Sequence, residues 1–304
     1  MRKDAGTSST KACGGTDVRD GSASPVTRSA DMNKVHVADG AHLECKAGSR
    51  ARSAVLTKLV APLTIVALLG LWQLACSTGL VPPFMLPSPV RVVQALVGDW
   101  PLLAGHAATS LAEAGMGLAA GVALGFVAAL AMDRFDLLYR AFYPIVVLTQ
   151  TIPTVAIAPL LVLWFGYGML PKVVLIVVAT FFPITVGLLE GLRSVDPDEI
   201  DLMRAMGASR LQILHHVKLP AALPQLFSGL KISAAYAIVG AVIAEWLGGF
   251  SGLGVYMTRV RKAYSFDKMF AVIFLISGLS LVLMWVVDAL RRALMPWERL
   301  SREP

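Results

Sequence analysis

Charged residues are scarce in this chain of 304 residues, making up 15% of it, against about 25% in ordinary soluble domains. Hydrophobic residues make up 56%. A composition this poor in charge argues against an ordinary soluble enzyme domain. It predicts instead one membrane domain, to which we assign residues 55–304.

Cysteine is also scarce, and Cys13, Cys45 and Cys76 include no C-x-x-C pair. This excludes the common cysteine-based zinc and redox motifs. Cys76 follows an apolar run, as in a lipoprotein signal, but Gln73 does not suit the cleavage site and further apolar runs follow. We therefore expect this run to be a first membrane helix.

The sequence also lacks the means to bind ATP. No Gly-Lys dipeptide occurs, so the glycine-rich loop that cradles phosphates is missing. No Ser-His-Asp or paired-carboxylate arrangement stands out. The adjacent His215 and His216 point about 100° apart on a helix and are not a metal pair; a polar surface facing a partner is favoured. We expect no catalytic residue, no metal site and no cofactor in this chain.

Residues 1–54 mix Lys and Arg with Gly, Ser, Thr and Asp and have almost no apolar periodicity. This composition predicts a disordered, basic cytoplasmic tail. Charge alone does not indicate nucleic acid, so a solvated tail near an anionic leaflet is favoured over a nucleic-acid arm.

The apolar runs predict about six membrane-spanning helices, because a bilayer core needs roughly 20 apolar residues per helix. They lie at about 57–77, 106–132, 140–165, 171–192, 228–248 and 269–290. In the second, Gly117, Gly121 and Gly125 predict close packing against another helix. Most of the 27 Lys and Arg residues then lie on the side of the N-terminus, despite a cluster at 259–268. Both termini are therefore predicted to be cytoplasmic.

The segment 196–220 is a polar island among these spans. Asp196 caps a predicted helix that begins at Pro197, with Glu199 placed to complete a capping box. Its apolar stripe is Ile200, Met203 and Met206. Gly207 suits the left-handed position that ends a helix.

A second helix is predicted to follow. Ser209 and Gln212 form its capping box, and Pro220 and Pro224 mark its exit. Its apolar stripe is Leu211, Leu214 and Val217. Such a pair beside a bilayer lies on lipid, on its own spans or in the groove of a partner, and periodicity alone leaves the three open.

Polar residues within the spans are candidates for a translocation path. Gln150 and Thr151 lie beside Pro153, which bends the third span; a path and simple curvature of the bundle both explain them. Glu245, near the outer end of the fifth span, either lines the path or makes a structural hydrogen bond. Asp288 is expected to pair with Arg291 or Arg292 along its own helix.

The segment around Gly207 resembles the "EAA" loop of permeases of binding-protein-dependent ABC importers. Gly207–Ser209 and Leu219–Pro220 match that pattern, whereas Asp201, Leu202 and Met203 stand at its acidic-Ala-Ala positions. The stretches QTIPTVAIAPLLVLWFGYG (150–168), AEWLGGFSGLGVYM (244–257) and LPSPVRVV (86–93) look like the taurine, sulfonate, nitrate and thiamin-precursor branch. The resemblance covers about residues 60–295.

The resemblance implies a type I importer permease, all-α and integral to the cell membrane, like the permease of the methionine importer. It also implies that 196–220 contacts a cytoplasmic ATPase subunit, which binds ATP and Mg. The residues carried over are Glu199, Asp201, Met203, Ala205, Gly207, Ala208, Ser209, Leu219 and Pro220. Further partners implied are an extracellular substrate-binding protein, membrane lipid and a second permease copy, most simply in a homodimer, with no nucleic acid.

For the substrate, the resemblance favours a thiamin pyrimidine precursor such as hydroxymethylpyrimidine. Sulfonate, taurine, nitrate and riboflavin stay open. The alternative function is a secondary transporter with its own ion coupling, for which Glu113 and Glu245 are the plausible buried relays.

Overall fold

The computed structural model describes residues 60, 62–79, 82 and 85–297, and its secondary structure is helical throughout them. The helices are α1 Pro62–Ser77, α2 Pro89–Gly98, α3 Trp100–Arg134, α4 Asp136–Thr151, α5 Thr154–Phe165, α6 Met169–Arg193, α7 Pro197–Ala205, α8 Arg210–Ile213, α9 Leu219–Gly248, α10 Leu253–Lys262 and α11 Phe266–Leu294. The chain divides into two compact units, Met1–Leu68 and Leu69–Pro304. In the first, the described residues are helical and exposed. The predicted tail 1–54 lies outside the described residues.

Four helices are long and apolar enough to cross a membrane: α3, α6, α11 and the helix Arg210–Gly248, which contains α8 and α9. Helices α4 and α5 pass the same test as one bent pair, which makes five spans within the described ranges. The first predicted span, 57–77, falls partly outside those ranges, and its described helix α1 is shorter. The predicted all-helical membrane architecture is confirmed.

The third predicted span is not one helix. Its two halves, α4 and α5, are bent by 100° at a break after Thr151. Pro153 has no N–H to continue the helix and pushes the residue before it out of the helical region. Ile152 accordingly adopts an extended conformation, with φ −83° and ψ 122°. The prediction of a single helix over 140–165 is corrected to two helices that meet at an angle.

The three helices α3, α6 and α9 share the core of the second unit. Its buried centre includes Ala114, Ile176, Ile184 and Ile238. A Cβ atom added to Gly125 would come within 3.0 Å of the Ile184 side chain, so this glycine lets α3 approach α6 closely. The packing predicted from the glycine spacing is therefore confirmed.

The helix predicted to end at Pro220 instead continues through it. A π-helical turn, Leu214–Lys218, joins α8 to α9, and the Leu219 N–H donates to the Leu214 carbonyl. In a regular α-helix the Pro220 ring would clash with the carbonyl four residues earlier, and the wider turn relieves that clash. Pro224 also lies inside α9. The predicted proline exit is wrong, and the segment is continuous with the fifth span.

Candidate functional site

The first half of the segment 196–220 is a short helix with a well-defined start. The Asp196 carboxylate accepts a 3.0 Å hydrogen bond from the Asp198 N–H, so the predicted cap forms, although the bond is not the one a capping box with Glu199 would use. Glu199 lies exposed in the first turn, where its charge suits the positive end of the helix. Asp201 pairs with Arg204 at 2.7 Å on the surface.

Gly207 ends this helix in the predicted left-handed conformation, with φ +81°. Its N–H donates to the Arg204 carbonyl, and the Ala208 N–H donates to the Met203 carbonyl at 3.0 Å. These two bonds form the closing motif that a glycine at this position typically makes. A Cβ atom on Gly207 would meet nothing within 4 Å, so only the backbone angle restricts the residue type.

Ser209 starts the second half with the predicted capping box. The Ser209 hydroxyl accepts from the Gln212 N–H at 3.4 Å, and the Ser209 N–H donates to the Gln212 amide oxygen at 2.7 Å. Two N–H groups at the helix start are thereby satisfied. The turn after Gly207 thus leads directly into α8.

Large apolar side chains project from the segment. Leu202, Met206 and Leu211 are 62%, 66% and 77% exposed. The predicted stripes are divided: Ile200 and Met203 are half-buried, whereas Met206 and Leu211 point outward. The segment therefore presents an apolar surface of Leu202, Met206 and Leu211 on an otherwise polar element.

Two basic side chains fasten the ends of the segment to the corner between α3 and α4. The Lys218 ammonium, in the π-helical turn, donates to both carboxylate oxygens of Asp133 at 2.8 and 2.9 Å. Before the segment, Arg193 donates to Asp136 at 3.4 Å, and its guanidinium lies 3.6 Å from the Tyr139 ring centroid. The segment is thereby bonded to α3, the preceding Arg193 to α4, and the segment is also continuous with α9.

The break between α4 and α5 opens a cavity of about 290 Å³. Gln150 and Pro153 line it, together with residues of α6 and α9. Thr151 is not among the lining residues, and its hydroxyl donates to the Leu148 carbonyl of its own helix at 2.8 Å. Two of the three path residues predicted at this break thus share one cavity.

Glu245 lies away from this cavity, in a buried polar cluster. Its carboxylate accepts from the Ser110 hydroxyl and from the Gly254 N–H, both at 2.6 Å. The Leu253 N–H donates to Ser110, and the Gly252 N–H donates to His106 Nδ1. The cluster satisfies the free N–H groups at the start of α10 and fastens that helix to α3 and α9.

Glu113 continues the cluster with a buried ion pair. Its Oε1 atom lies 2.5 Å from the Lys172 ammonium, and the two side chains are 2% and 8% exposed. Its Oε2 atom has no partner among the described residues. Sequence reasoning singled out Glu113 but missed Lys172, although a lone lysine inside an apolar run is the kind of signal that identifies such a partner.

Asp99, which lies outside the membrane spans, links the start of α3 to α10 and α11. Its Oδ2 accepts from the Tyr256 hydroxyl at 2.5 Å and lies 2.7 Å from the Lys268 ammonium. The hydrogen bond from Lys268, with that from Tyr256, holds the pKa of Asp99 below its ordinary value. Burial, helped by Asp99, raises the pKa of Tyr256.

No group of three or more potential metal ligands occurs within the described ranges. The exposed rings of His215 and His216 lie edge to face at 5.1 Å, and His216 contacts the Gln212 carbonyl at 3.0 Å.

Comparison with known proteins agrees with this architecture. Residues 121–296 match the family described as binding-protein-dependent transport system inner membrane component. A probable ABC transporter permease protein of Haemophilus influenzae is 40% identical over 232 residues, 76% of this chain and 95% of that protein. The formylaminopyrimidine transport permease protein ThiX of Halalkalibacterium halodurans is 35% identical over 238 residues, 78% and 95% of the two chains.

A solved structure shows the same fold. The MetNI methionine ABC transporter, in an inward-facing conformation, has a chain that matches with a TM-score of 0.52 and 24% identity. The match covers 64% of this chain and 96% of that one.

Proposed function

Because the chain belongs to the family of binding-protein-dependent transport system inner membrane components, it is the membrane permease subunit of an ABC importer, and we propose that its segment 196–220 receives the ATP-driven movement. The family implies an ATPase partner and a substrate-binding partner. ATP and Mg then belong to the ATPase, which closes on nucleotide and switches the permease between inward-facing and outward-facing states.

The observation that carries this proposal is the continuity of α8, the π-helical turn and α9 in one helix, Arg210–Gly248. In this proposal, the continuous helix transmits a displacement of α7 and α8 to the core, where α9 packs against α3 and α6. The Lys218–Asp133 pair carries the same movement to α3. A flexible loop at this position would not transmit the displacement to the membrane helices.

The contact surface supports an ATPase as the partner. Leu202, Met206 and Leu211 are exposed on a short element that the caps at Asp196 and Ser209 hold in shape. Exposed apolar anchors on a rigid short helix fit a hydrophobic groove in another protein. Glu199, Asp201 and Ala205 surround these anchors with polar or small side chains.

The assembly proposed has two copies of this chain, two ATPase subunits and an external binding protein. One chain provides one segment of this kind, so a homodimer supplies one contact for each of two ATPases. The excess of basic residues beside the segment and at the N-terminus favours a cytoplasmic location for both termini.

The substrate proposed is a thiamin pyrimidine precursor. The formylaminopyrimidine permease is 35% identical over most of both chains. The resemblance to sulfonate, taurine, nitrate and riboflavin permeases keeps those solutes as the candidates to be compared in the same assay.

Reconstituted vesicles test the function. The permease, its ATPase and its binding protein are placed in vesicles with labelled solute outside, with and without internal ATP. We expect uptake that requires both ATP and the ATPase. Uptake that persists without either one contradicts the proposal and indicates an ion-coupled secondary transporter.

A further inference from the structure

The cavity at the α4–α5 break has a position that suits a solute. It reaches Val178 and Phe182, about halfway along α6, and Tyr236 and Gly240 in the membrane-spanning part of α9. Non-helical backbone at membrane depth is tolerated where it is buried in protein or lines a water-filled cavity. The extended Ile152 lies in this lining, so the interruption of the helix and the cavity belong together.

Three neutral polar side chains in the lining have no hydrogen-bond partner among the described residues. Within the described chain, no hydrogen bond engages the Gln150 amide, the Thr154 hydroxyl or the Tyr236 hydroxyl. By contrast, the Thr149 hydroxyl, also in the lining, donates to the Val146 carbonyl at 2.6 Å. Unpaired polar groups at membrane depth are costly unless water or a ligand satisfies them. These three groups converge on one space and supply both donors and acceptors.

Apart from Thr149, the rest of the described lining is apolar and uncharged. Phe182 and Tyr236 provide aromatic rings, and Val178, Val239 and Ile243 provide aliphatic surface. No Asp, Glu, Lys, Arg or His is among the lining residues that the structure describes. A permanently ionised sulfonate would find no counter-charge here, and burying such a charge unpaired is strongly unfavourable.

The size limits the solute further. At about 290 Å³ the cavity lies just below the usual range of ligand pockets, roughly 300–1,000 Å³. Aromatic walls with a few convergent hydrogen-bonding groups suit a planar ring that carries polar substituents.

Building on the proposed import function, we propose that this cavity binds a small uncharged heterocycle during transport, held by Gln150, Thr154 and Tyr236. The site discriminates against taurine and other sulfonates inside the membrane, in addition to any selection by the binding protein.

Equilibrium binding to the purified permease–ATPase complex, without binding protein or nucleotide, tests this site. Labelled formylaminopyrimidine and taurine serve as probes. We expect the pyrimidine to bind and taurine not to bind. Gln150→Leu and Tyr236→Phe should each weaken pyrimidine binding about tenfold, the usual order for one lost hydrogen bond to a ligand. Thr151→Val is the matched control, since Thr151 is adjacent but outside the lining, and should bind as wild type.

Tyr236→Phe removes a single oxygen atom, and co-purification with the ATPase checks that each variant is folded. The proposal is overturned if the wild type does not bind the pyrimidine, binds taurine equally well, or loses nothing in both lining variants. ATP-driven uptake by the same complex distinguishes failure of the proposed binding site from failure of the proposed import function. If uptake depends on ATP but is unchanged in Gln150→Leu, the proposed binding site is wrong and the proposed import function is retained.

Discussion

The Lys218 ammonium binds both carboxylate oxygens of Asp133, across 85 positions of sequence and at the junction of the π-helical turn with α3. The two side chains are only 21% and 11% exposed, so solvent screens the pair weakly. This contact links the end of the segment 196–220 to α3 of the membrane domain. It provides the first test of the proposed coupling.

Lys218→Met should uncouple the transporter without releasing the ATPase. The apolar anchors stay in place, but the link to α3 is lost, and Asp133 keeps a partly buried charge without a partner. We expect ATP-driven uptake to fall at least about tenfold, the effect of roughly 1.4 kcal/mol, while ATP hydrolysis continues. The exchange Lys218→Asp with Asp133→Lys should restore part of the uptake. If Lys218→Met transports at the wild-type rate, the pair has no part in coupling.

Gly207→Val should spare membrane insertion but weaken ATPase binding. A β-branched residue resists positive φ at a cost of about 1–3 kcal/mol, and no side-chain clash contributes because the space around the Cβ position is open. Gly207→Asn is the matched control, since asparagine tolerates this conformation, and should retain most of the binding. Co-purification of the ATPase measures the difference. Equal recovery with valine and asparagine would show that the turn is not needed for docking.

Lys172→Met should destabilise the membrane domain strongly, because it leaves the Glu113 carboxylate buried and unpaired. Breaking a buried pair in this way typically costs about 3–5 kcal/mol. Adding Glu113→Gln to Lys172→Met should recover most of the loss, since the remaining buried group is neutral. Thermal unfolding of the purified protein measures both. A double variant no more stable than Lys172→Met would contradict this account of the cluster.

The Asp99 tie should weaken in acid. Its pKa is lowered in the folded protein by the hydrogen bonds from Lys268 and Tyr256, so its contribution is present above the ordinary value of about 3.9 and is lost as pH falls through the folded value. Wild type should therefore unfold at a higher temperature than Asp99→Asn near neutral pH, and the gap should close below about pH 4. A difference in unfolding temperature that is constant across this pH range would show that the charge of Asp99 is not its cause.

Gly229→Ala should disturb the packing of α9 against α6. An added Cβ atom would lie 3.0 Å from the carbonyl carbon of Pro183, a backbone atom that cannot turn aside. Overpacking of this kind costs about 1–3 kcal/mol. Gly278→Ala, on α11, is the control, because nothing lies within 4 Å of its Cβ position. Equal thermal stability of the two variants would show that α6 and α9 accommodate the added methyl group without loss of stability.

Much of the segment 196–220 follows from local sequence. The caps at Asp196 and Ser209 and the left-handed Gly207 depend on residues within one or two turns. The structure has the Ser209 box and the Gly207 turn as predicted, whereas Asp196 caps its helix through the Asp198 N–H and without the predicted box with Glu199. The continuation of the helix through Pro220 was not predictable in the same way, because packing of the spans outweighs the local preference of proline and a π-helical turn absorbs the clash.

Long-range pairs were beyond local reasoning. Asp288 was expected to pair with Arg291 or Arg292 along its own helix; the structure also pairs its carboxylate with Lys231 of α9 at 2.7 Å, and the Arg292 Nε–H donates to the Asp288 backbone carbonyl. The cavity likewise depends on the 100° bend at Ile152. Prolines predicted a bend there, but not its size.

The most direct test of the central claim is photo-crosslinking from the apolar surface of the segment. A photoreactive residue replaces Leu211, which is 77% exposed, and a control replaces Leu281 of α11, which is 65% exposed in a membrane span. In membranes that contain the whole transporter, we predict that position 211 crosslinks to the ATPase and that this product changes in yield when ATP is added, whereas position 281 does not crosslink to the ATPase. Crosslinks from position 211 to lipid alone, unchanged by ATP, would contradict the account.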